Sequence, residues 1–167
     1  MKRKSKQIKR VRFSKQRRKT KKVALKSILL NGTPSRQARL EELNLDAMPN
    51  LDKKTTVMGV IYAKWCPHCK DLIPDENDAT SPPRWKQMID IIKQTPNRKN
   101  DAYYLQIEED EIRNHGKLDK LNKECSGICK TPVTASGYPT VFKMRGGRLN
   151  MYNGVREAQA MASWFLS

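Results

Sequence analysis

The 167-residue chain is long enough for one domain with an appended segment, and its hydrophobic fraction of 37% is low for a fully packed globule. It holds 34 Lys and Arg against 17 Asp and Glu, a formal net charge of +17, and 16 of the cations but no acid lie in residues 1–40. No run of about 18 apolar residues and no secretory signal is found. We expect an intracellular, nearly neutral domain with a polycation at its amino end.

The basic arm, residues 1–22, is predicted to be disordered in isolation, because its like charges repel and only Ile8, Val11 and Phe13 could be buried. It is interpreted as an electrostatic arm for nucleic acid or another polyanion, without sequence preference. A solvated tail, a nuclear-localisation signal and an organelle transit segment are alternatives. The candidate polyanion-binding residues are Lys2, Arg3, Lys4, Arg10, Arg12, Arg17, Arg18, Lys19, Lys21 and Lys22.

Residues 23–51 are predicted to be a linker or the first β-α elements, before a domain over residues 52–167. Val23–Leu30 could form a short strand. Thr33 followed by Pro34 is typical of a helix start and predicts a short helix over about Pro34–Leu45. Thr55–Ala63 is a nearly continuous apolar run rich in β-branched residues, which predicts a strand buried on both faces.

The remaining elements alternate between helix and strand, which predicts an α/β fold with a central mixed sheet and helices on both faces. Apolar spacing predicts an amphipathic helix around Trp85–Ile92 and a last helix after Gly154. A loop insertion over Asp75–Pro83 separates the first of these from a helix that begins near Cys66 and runs to about Ile73. The predicted strands are Ala102–Glu108, Thr140–Met144 and Arg148–Tyr152, with a mostly polar helical segment over Ile112–Leu121.

The sequence Cys66-Pro67-His68-Cys69 follows the buried strand directly and is predicted to begin a helix. Unpaired backbone N–H groups at a helix start stabilise a thiolate, and the thiolate is the attacking species in disulfide exchange. Cys66 is therefore the expected nucleophile, exposed at the turn, and Cys69 the more buried resolving thiol. Pro67 stiffens the turn, and His68 can tune the thiolate by charge or hydrogen bonding.

Two segments resemble the thioredoxin superfamily, including its protein disulfide isomerase-like members. Val60–Lys70 is similar to the family's active-site strand and turn, with Trp65 before the first Cys and Lys70 after the second. Pro74 matches the helix-kinking proline, and Gly137–Phe142 matches the cis-proline strand. The resemblance covers about residues 52–167 and implies a thioredoxin-like fold. It also implies a cis bond between Tyr138 and Pro139 that faces the two thiols and shapes a groove for the substrate chain.

Two departures from the family pattern bear on the type of activity. Val60 stands where thioredoxins carry a buried carboxylate that helps to deprotonate the resolving cysteine. Pro67 and His68 replace the Gly-Pro dipeptide and resemble disulfide oxidases and isomerases. The resemblance therefore implies a protein thiol–disulfide oxidoreductase without a bound cofactor, acting on cysteine-containing proteins and closer to an oxidase or isomerase than to a reductase.

A second cysteine pair, Cys125 and Cys129, precedes the cis-proline strand. A structural or secondary redox disulfide is the first interpretation, because residues i and i+4 of a helix share one face. Two inert buried thiols are an alternative, and a zinc site joining Cys66, Cys69, Cys125 and Cys129 is another. Of the two histidines, His115 is expected at the surface.

A non-enzymatic alternative remains for the whole chain. The thioredoxin-like domain could be a scaffold that the basic arm anchors to a nucleoprotein assembly. A redox domain with a polycationic arm would suit a nuclear protein or a virion component of a large DNA virus.

Deletion of residues 1–22 should remove most binding to DNA, because neutralisation of phosphates supplies nearly all non-specific affinity. The full chain should bind duplex DNA with an affinity that falls steeply as salt concentration rises, measured by fluorescence anisotropy. Disulfide exchange by the shortened chain is the control and should be unchanged. A full chain that binds no polyanion at any salt concentration would contradict this interpretation of the arm.

Overall fold

Five strands form one sheet in the order β1-β3-β2-β4-β5 in the computed structural model, which describes residues 38–74, 82–95 and 100–167. The strands are β1 (Leu40–Glu42), β2 (Thr56–Tyr62), β3 (Ala102–Glu108), β4 (Thr140–Arg145) and β5 (Arg148–Met151). The helices are α1 (Pro67–Lys70), α2 (Arg84–Gln94), α3 (Glu109–His115), α4 (Lys117–Glu124) and α5 (Ala158–Leu166), with a 3-10 turn at Cys125–Gly127.

The sheet is mixed, with a parallel half and an antiparallel half. Strands β1 and β2 both pair in parallel with β3, while β4 is antiparallel to β2 and to β5. The tight turn between β4 and β5 is made by Gly146 and Gly147, whose φ values of 58° and 82° favour glycine. This topology, with helices on both faces, is the thioredoxin-like fold that the sequence predicts.

The central strand β2 is buried on both faces, as its apolar sequence predicts. One face contributes Met58 and Val60 to a cluster with α2 and α5, while the other contributes Val57 and Ile61 to a cluster with α4 and β4. The first cluster includes the helix residues Trp85, Met88, Ile92, Met161 and Phe165, and the second includes Leu121, Ile128, Phe142 and Met144. Burial of these side chains in two layers holds the sheet between its helices.

The amino-terminal predictions meet the structure only in part. The helix predicted over Pro34–Leu45 is wrong for its described residues, because Leu40–Glu42 is a strand that pairs with Ala102–Tyr104. Leu40, Leu43 and Leu45 are buried, but they are divided between the two faces of the sheet rather than lying along one helix. Residues 1–37, with the arm and the strand predicted at Val23–Leu30, lie outside the described residues, as does most of the insertion at 75–83.

The elements after residue 52 follow the predictions more closely. The strand predicted at Ala102–Glu108 has the bounds of β3, and the polar segment before the second cysteine pair forms α3 and α4. The helix that begins at the redox motif ends at Lys70 rather than near Ile73. In the part of the chain that is described, no helix has both the length and the apolar character needed to cross a membrane.

Strand β4 is joined to the end of α5 by a buried ammonium group. Lys143 is only 6% exposed, and its Nζ donates to the carbonyl oxygens of Trp164, at 2.7 Å, and Phe165, at 3.4 Å. The same Nζ lies 4.7 Å from the centre of the Trp164 ring. Burial, and then the nearby charge of Arg145, lower the pKa of Lys143. The carbonyl end of a helix is a favourable place for a cation, so this contact fixes α5 against the sheet.

The middle of β2 depends on a position without a side chain. Gly59 lies opposite Phe142 in the ladder, and a Cβ at Gly59 would stand 2.3 Å from Cζ of that ring and 3.0 Å from Cδ2 of Leu105. Real Cβ atoms do not approach other atoms this closely, so the ring occupies the space that only glycine leaves free.

We expect Gly59→Ala to lower the free energy of unfolding by about 1–3 kcal/mol, because the Phe142 ring must move out of a packed core. The measurement is the midpoint of urea denaturation. Gly127→Ala is the matched control, since a Cβ there would meet no atom within 4 Å. An unchanged midpoint for Gly59→Ala would contradict the close approach of ring and backbone.

Candidate active site: the Cys66–Cys69 redox centre

The chain turns sharply at the end of β2 and places both motif cysteines at the start of α1. The N–H of Cys66 donates to the carbonyl of Ala63 at 3.0 Å, and the N–H of Cys69 donates to the carbonyl of Cys66 at 3.0 Å. Cys66 is the N-cap residue and Pro67 occupies the first helical position, where its missing N–H leaves no hydrogen bond unmade. Cys69 therefore lies one turn after Cys66, as predicted.

Both motif cysteines are free thiols, and both are buried. Cys69 is 1% exposed, which confirms it as the more buried thiol, but Cys66 is only 6% exposed, so the expectation of an exposed nucleophile is wrong. The thiol of Cys66 donates to the carbonyl oxygen of Tyr138 at 3.4 Å, and Tyr138 packs against the two cysteines. The chain before Pro139 thus covers the Cys66 sulfur.

The peptide bond between Tyr138 and Pro139 is cis, the geometry that the resemblance implies. It brings the backbone of the predicted groove against Cys66, because Tyr138 supplies the carbonyl that the Cys66 thiol contacts. Pro139 is buried and Tyr138 half-buried. Burial, followed by the charge of Glu109, raises the pKa of the Tyr138 phenol. Tyr138 and Pro139 therefore lie beside the redox motif, and their role as a groove for a substrate chain stays a prediction.

The thiol of Cys69 is strongly biased toward its protonated form. Burial raises the pKa of Cys69 to about 11, with a further increase from the hydrogen bond with Cys66, while the Ala63 backbone and the charge of Arg156 act in the opposite direction. Val60 is fully buried in an apolar cluster at the position where thioredoxins carry a carboxylate. At neutral pH the Cys69 thiolate is therefore scarce.

The sequence did not single out Arg156, which precedes α5. It lies close enough to Cys69 for its charge to lower the thiol pKa. Its neighbour Val155 is 69% exposed and is one of the few large apolar side chains that face solvent in the described ranges. Only the folded structure brings this loop to the motif, since about 90 residues separate them in the chain.

The sequence also did not single out Glu109, at the start of α3, which fixes the orientation of Trp65. Trp65 is 67% exposed, and its indole N–H donates to one carboxylate oxygen of Glu109, while the other oxygen pairs with Arg113 at 2.7 Å. The Trp65 ring meets Tyr138 edge-on, with centroids 5.9 Å apart. Helix α3 starts directly after β3 because Glu108 and Glu111 form a capping box.

The other motif residues lie at the surface around the cysteines. Pro67, His68 and Lys70 are all exposed. Lys64, just before the motif, pairs with Glu108 at 2.7 Å, and His115 is exposed, as predicted. The candidate polyanion-binding residues of the arm lie outside the described residues.

The second cysteine pair lies in a different cluster from the redox motif. Cys125 and Cys129 pack beside Leu121 and Ile128, and the Cys129 thiol donates to the carbonyls of Thr131, at 3.5 Å, and Gly147, at 3.6 Å. Burial raises the pKa of Cys125 to about 12. The two thiols are free, and a disulfide between them stays a prediction.

The zinc alternative receives no support from the described ranges. Cys66 and Cys69 form a cluster apart from the one that holds Cys125 and Cys129. Among the residues that the structure describes, no group of three or more His, Cys, Asp or Glu side chains is placed to hold a metal ion.

Comparison with known proteins gives distant similarity to single domains of larger proteins. No family model matches the chain. The Caenorhabditis elegans protein named "Probable protein disulfide-isomerase A4" is 29% identical over 108 residues, 65% of this chain and 13% of that protein. Human ERp44 in a zinc-bound form is 21% identical with a TM-score of 0.44, covering 68% of this chain and 26% of that one. The first thioredoxin domain of mouse protein disulfide-isomerase A4 is 21% identical with a TM-score of 0.41, covering 66% and 60%.

The high pKa of Cys69 predicts a distinctive alkylation profile. In the Cys66→Ser variant, the rate of Cys69 alkylation by iodoacetamide should rise about tenfold per pH unit between about pH 7 and 10, because only the thiolate reacts. The modified Cys69 peptide is quantified by mass spectrometry.

Arg156→Gln in the same background tests the electrostatic contribution. Removal of this charge should slow alkylation further at each pH, since Arg156 lowers the Cys69 pKa. A profile that levels off below about pH 9, near the value of a free cysteine, would contradict the assignment of Cys69 as a buried, protonated thiol.

Proposed function

We propose that this chain is a protein thiol–disulfide oxidoreductase that exchanges disulfides through Cys66 and Cys69 and acts as an oxidase or isomerase more than as a reductase. The observation that carries the proposal is the contact of the Cys66 thiol with the Tyr138 carbonyl at 3.4 Å, beside the cis bond to Pro139. A substrate chain that pairs with the backbone at Tyr138 would bring its own sulfur to Cys66. The similarity to protein disulfide-isomerase A4 supports the same activity.

In the oxidising direction, a substrate thiolate attacks the Cys66 sulfur of the Cys66–Cys69 disulfide. The bond between the two cysteines breaks, a mixed disulfide forms, and Cys69 leaves as a thiolate that takes up a proton. A second substrate thiolate then attacks the substrate sulfur of the mixed disulfide, and Cys66 leaves as a thiolate. The substrate gains a disulfide, and the protein takes up the two electrons.

The environment of Cys69 disfavours the reductase direction. Reduction of a substrate needs Cys69 to attack the mixed disulfide as a thiolate, and its pKa of about 11 makes that species scarce. Val60 offers no carboxylate to accept the proton. Because Cys69 attacks the mixed disulfide slowly, the mixed disulfide lasts longer. Other substrate thiols then have time to attack it.

The residues around the cysteines have distinct roles in this proposal. Pro67 stiffens the turn, and exposed His68 can place a proton or a positive charge beside the Cys66 thiolate when substrate arrives. Trp65, held by Glu109, and Tyr138 form the apolar edge of the groove. Arg156 adds positive charge near Cys69, where burial outweighs its effect on the pKa, and Lys70 follows Cys69 at the surface.

Substitution of the two motif cysteines should have opposite effects on a protein with two reactive cysteines as substrate. Cys66→Ser should abolish exchange, because no nucleophile remains. Cys69→Ser should accumulate mixed disulfides, because escape by the resolving thiol is lost. Non-reducing gels and mass spectrometry measure both.

Cys125→Ala is the matched control, since Cys125 is buried in a separate cluster, and exchange should persist. Undiminished exchange by Cys66→Ser would overturn the enzymatic proposal and favour the scaffold.

A further inference from the structure

Four basic residues lie where the β4–β5 hairpin meets the turn before β2. Arg145 and Arg148 are opposite each other at the end of the β4–β5 ladder. The backbone N–H of Gly146, between them, donates to the carbonyl of Lys53 at 3.2 Å. Lys53 and Lys54 therefore lie against the hairpin, and all four of these basic side chains are exposed.

A fifth basic residue follows a cysteine that contacts the hairpin turn. The Cys129 thiol donates to the carbonyl of Gly147 at 3.6 Å, and the next residue, Lys130, is exposed. We call this cluster the basic end, defined as Lys53, Lys54, Lys130, Arg145 and Arg148.

Carboxylates lie beside one part of the basic end, because Asp52 and Asp101 line one pocket with Lys54. Hydrogen bonds from Thr55 and from the Lys54 backbone, and then the charge of Lys54, lower the pKa of Asp52. Within the described ranges, Lys53, Lys54, Lys130 and Arg148 form no ion pair, whereas Lys64, Arg113 and Lys117 each pair with a carboxylate. Asp52 is the nearest acid in the chain, and its carboxylate accepts hydrogen bonds from the Thr55 hydroxyl and from backbone N–H groups. The guanidinium of Arg145 donates to the carbonyl of Ser167 at 3.4 Å.

The basic end lies at the opposite end of β2 from the redox centre. Strand β2 begins at Thr56, next to Lys53 and Lys54, and ends at Tyr62, before Cys66. Seven residues of strand span about 23 Å. Strand β1 runs parallel to β2 through β3, because Leu40 and Thr56 both align with Ala102. Strand β1 therefore starts at the same end of the sheet as β2, on the opposite side of β2 from the hairpin.

We propose that the basic end is a nucleic-acid-binding surface that contacts the phosphodiester backbone without reading base sequence. Arginine and lysine bind phosphate oxygens through charge-assisted hydrogen bonds, and each neutralised phosphate releases counterions. Nucleic acid is favoured over an anionic membrane because the large apolar side chains that are exposed in the described ranges, Trp65, Met151, Val155 and Leu166, are not part of the basic end. Membrane-surface segments need an apolar stripe as well as charge.

Matched charge removal in the full chain tests the surface. The first variant combines Lys53→Gln, Lys54→Gln and Arg148→Gln, and the control combines Lys86→Gln, Lys93→Gln and Lys123→Gln, all exposed. Both lose the same net charge. With a 30-base-pair duplex of mixed sequence, the first variant should bind at least about tenfold more weakly at 0.1 M salt, and its plot of log affinity against log salt should be shallower by about 2 to 3.

The control variant should keep the slope and stay within about threefold in affinity. Equal losses in the two variants would overturn the proposal, because binding would then follow overall charge. Disulfide exchange should be unchanged in both variants, so loss of the redox activity and loss of this surface are separate results.

Lysine footprinting on the unmodified full chain supplies a readout that does not depend on folding of variants. Acetylation of Lys53, Lys54 and Lys130 should fall several-fold when duplex DNA is bound, while Lys86, Lys93 and Lys123 should react as before. Protection confined to lysines of residues 1–37 would overturn the proposal. Protection by phosphatidylserine vesicles or by an acidic polypeptide, but not by DNA or RNA, would overturn the choice of nucleic acid.

Discussion

The structure depends on a strand that is buried on both faces. Strand β2 has helices above and below it and a paired strand on each side, so its position leaves no freedom of register. The contact between Gly59 and the Phe142 ring fixes β2 against β4 at one point, and the alternating side chains on either side fill both cores. The turn that holds the redox cysteines follows directly after this strand. A strand that is fixed in the core therefore also fixes the positions of the two cysteines.

The protonation of Cys69 depends on the carboxylate that is missing at Val60 as well as on the charges that are present nearby. Cys69 sits beneath the turn among apolar groups, with valine where a carboxylate would shuttle its proton. The charge of Arg156, in the loop before α5, lowers the pKa of Cys69 and partly offsets the effect of burial. The pair of thiols is therefore asymmetric: Cys66 meets a backbone carbonyl at the groove, while Cys69 is held back as a thiol. In the proposed reaction, this asymmetry separates the sulfur that meets substrate from the sulfur that closes the cycle.

Local patterns in the sequence predicted most of the fold after residue 52. The apolar run of β2, the spacing of Trp85 to Ile92 and the two glycines of the hairpin each carry their own structural signal. Strand β1 was missed because three residues, Leu-Glu-Glu, are too few to show a period of two, and Thr33-Pro34 with nearby leucines imitates a helix start. Arg156 and Glu109 were missed for a different reason. They belong to the site only through folding, and nothing in their local sequence distinguishes them from other surface charges.

Strand β2 separates the two proposed sites of one small domain by the length of a single strand. A molecule held on a polymer by its basic end would keep the redox motif at the other end of β2, away from the polymer. Several such molecules on one polymer would then share a confined volume with any cysteine-containing protein bound nearby. Effective concentrations in such tethered arrangements reach the millimolar range. Weak recognition of the substrate chain would then suffice, and proximity along the polymer would select which disulfides are exchanged.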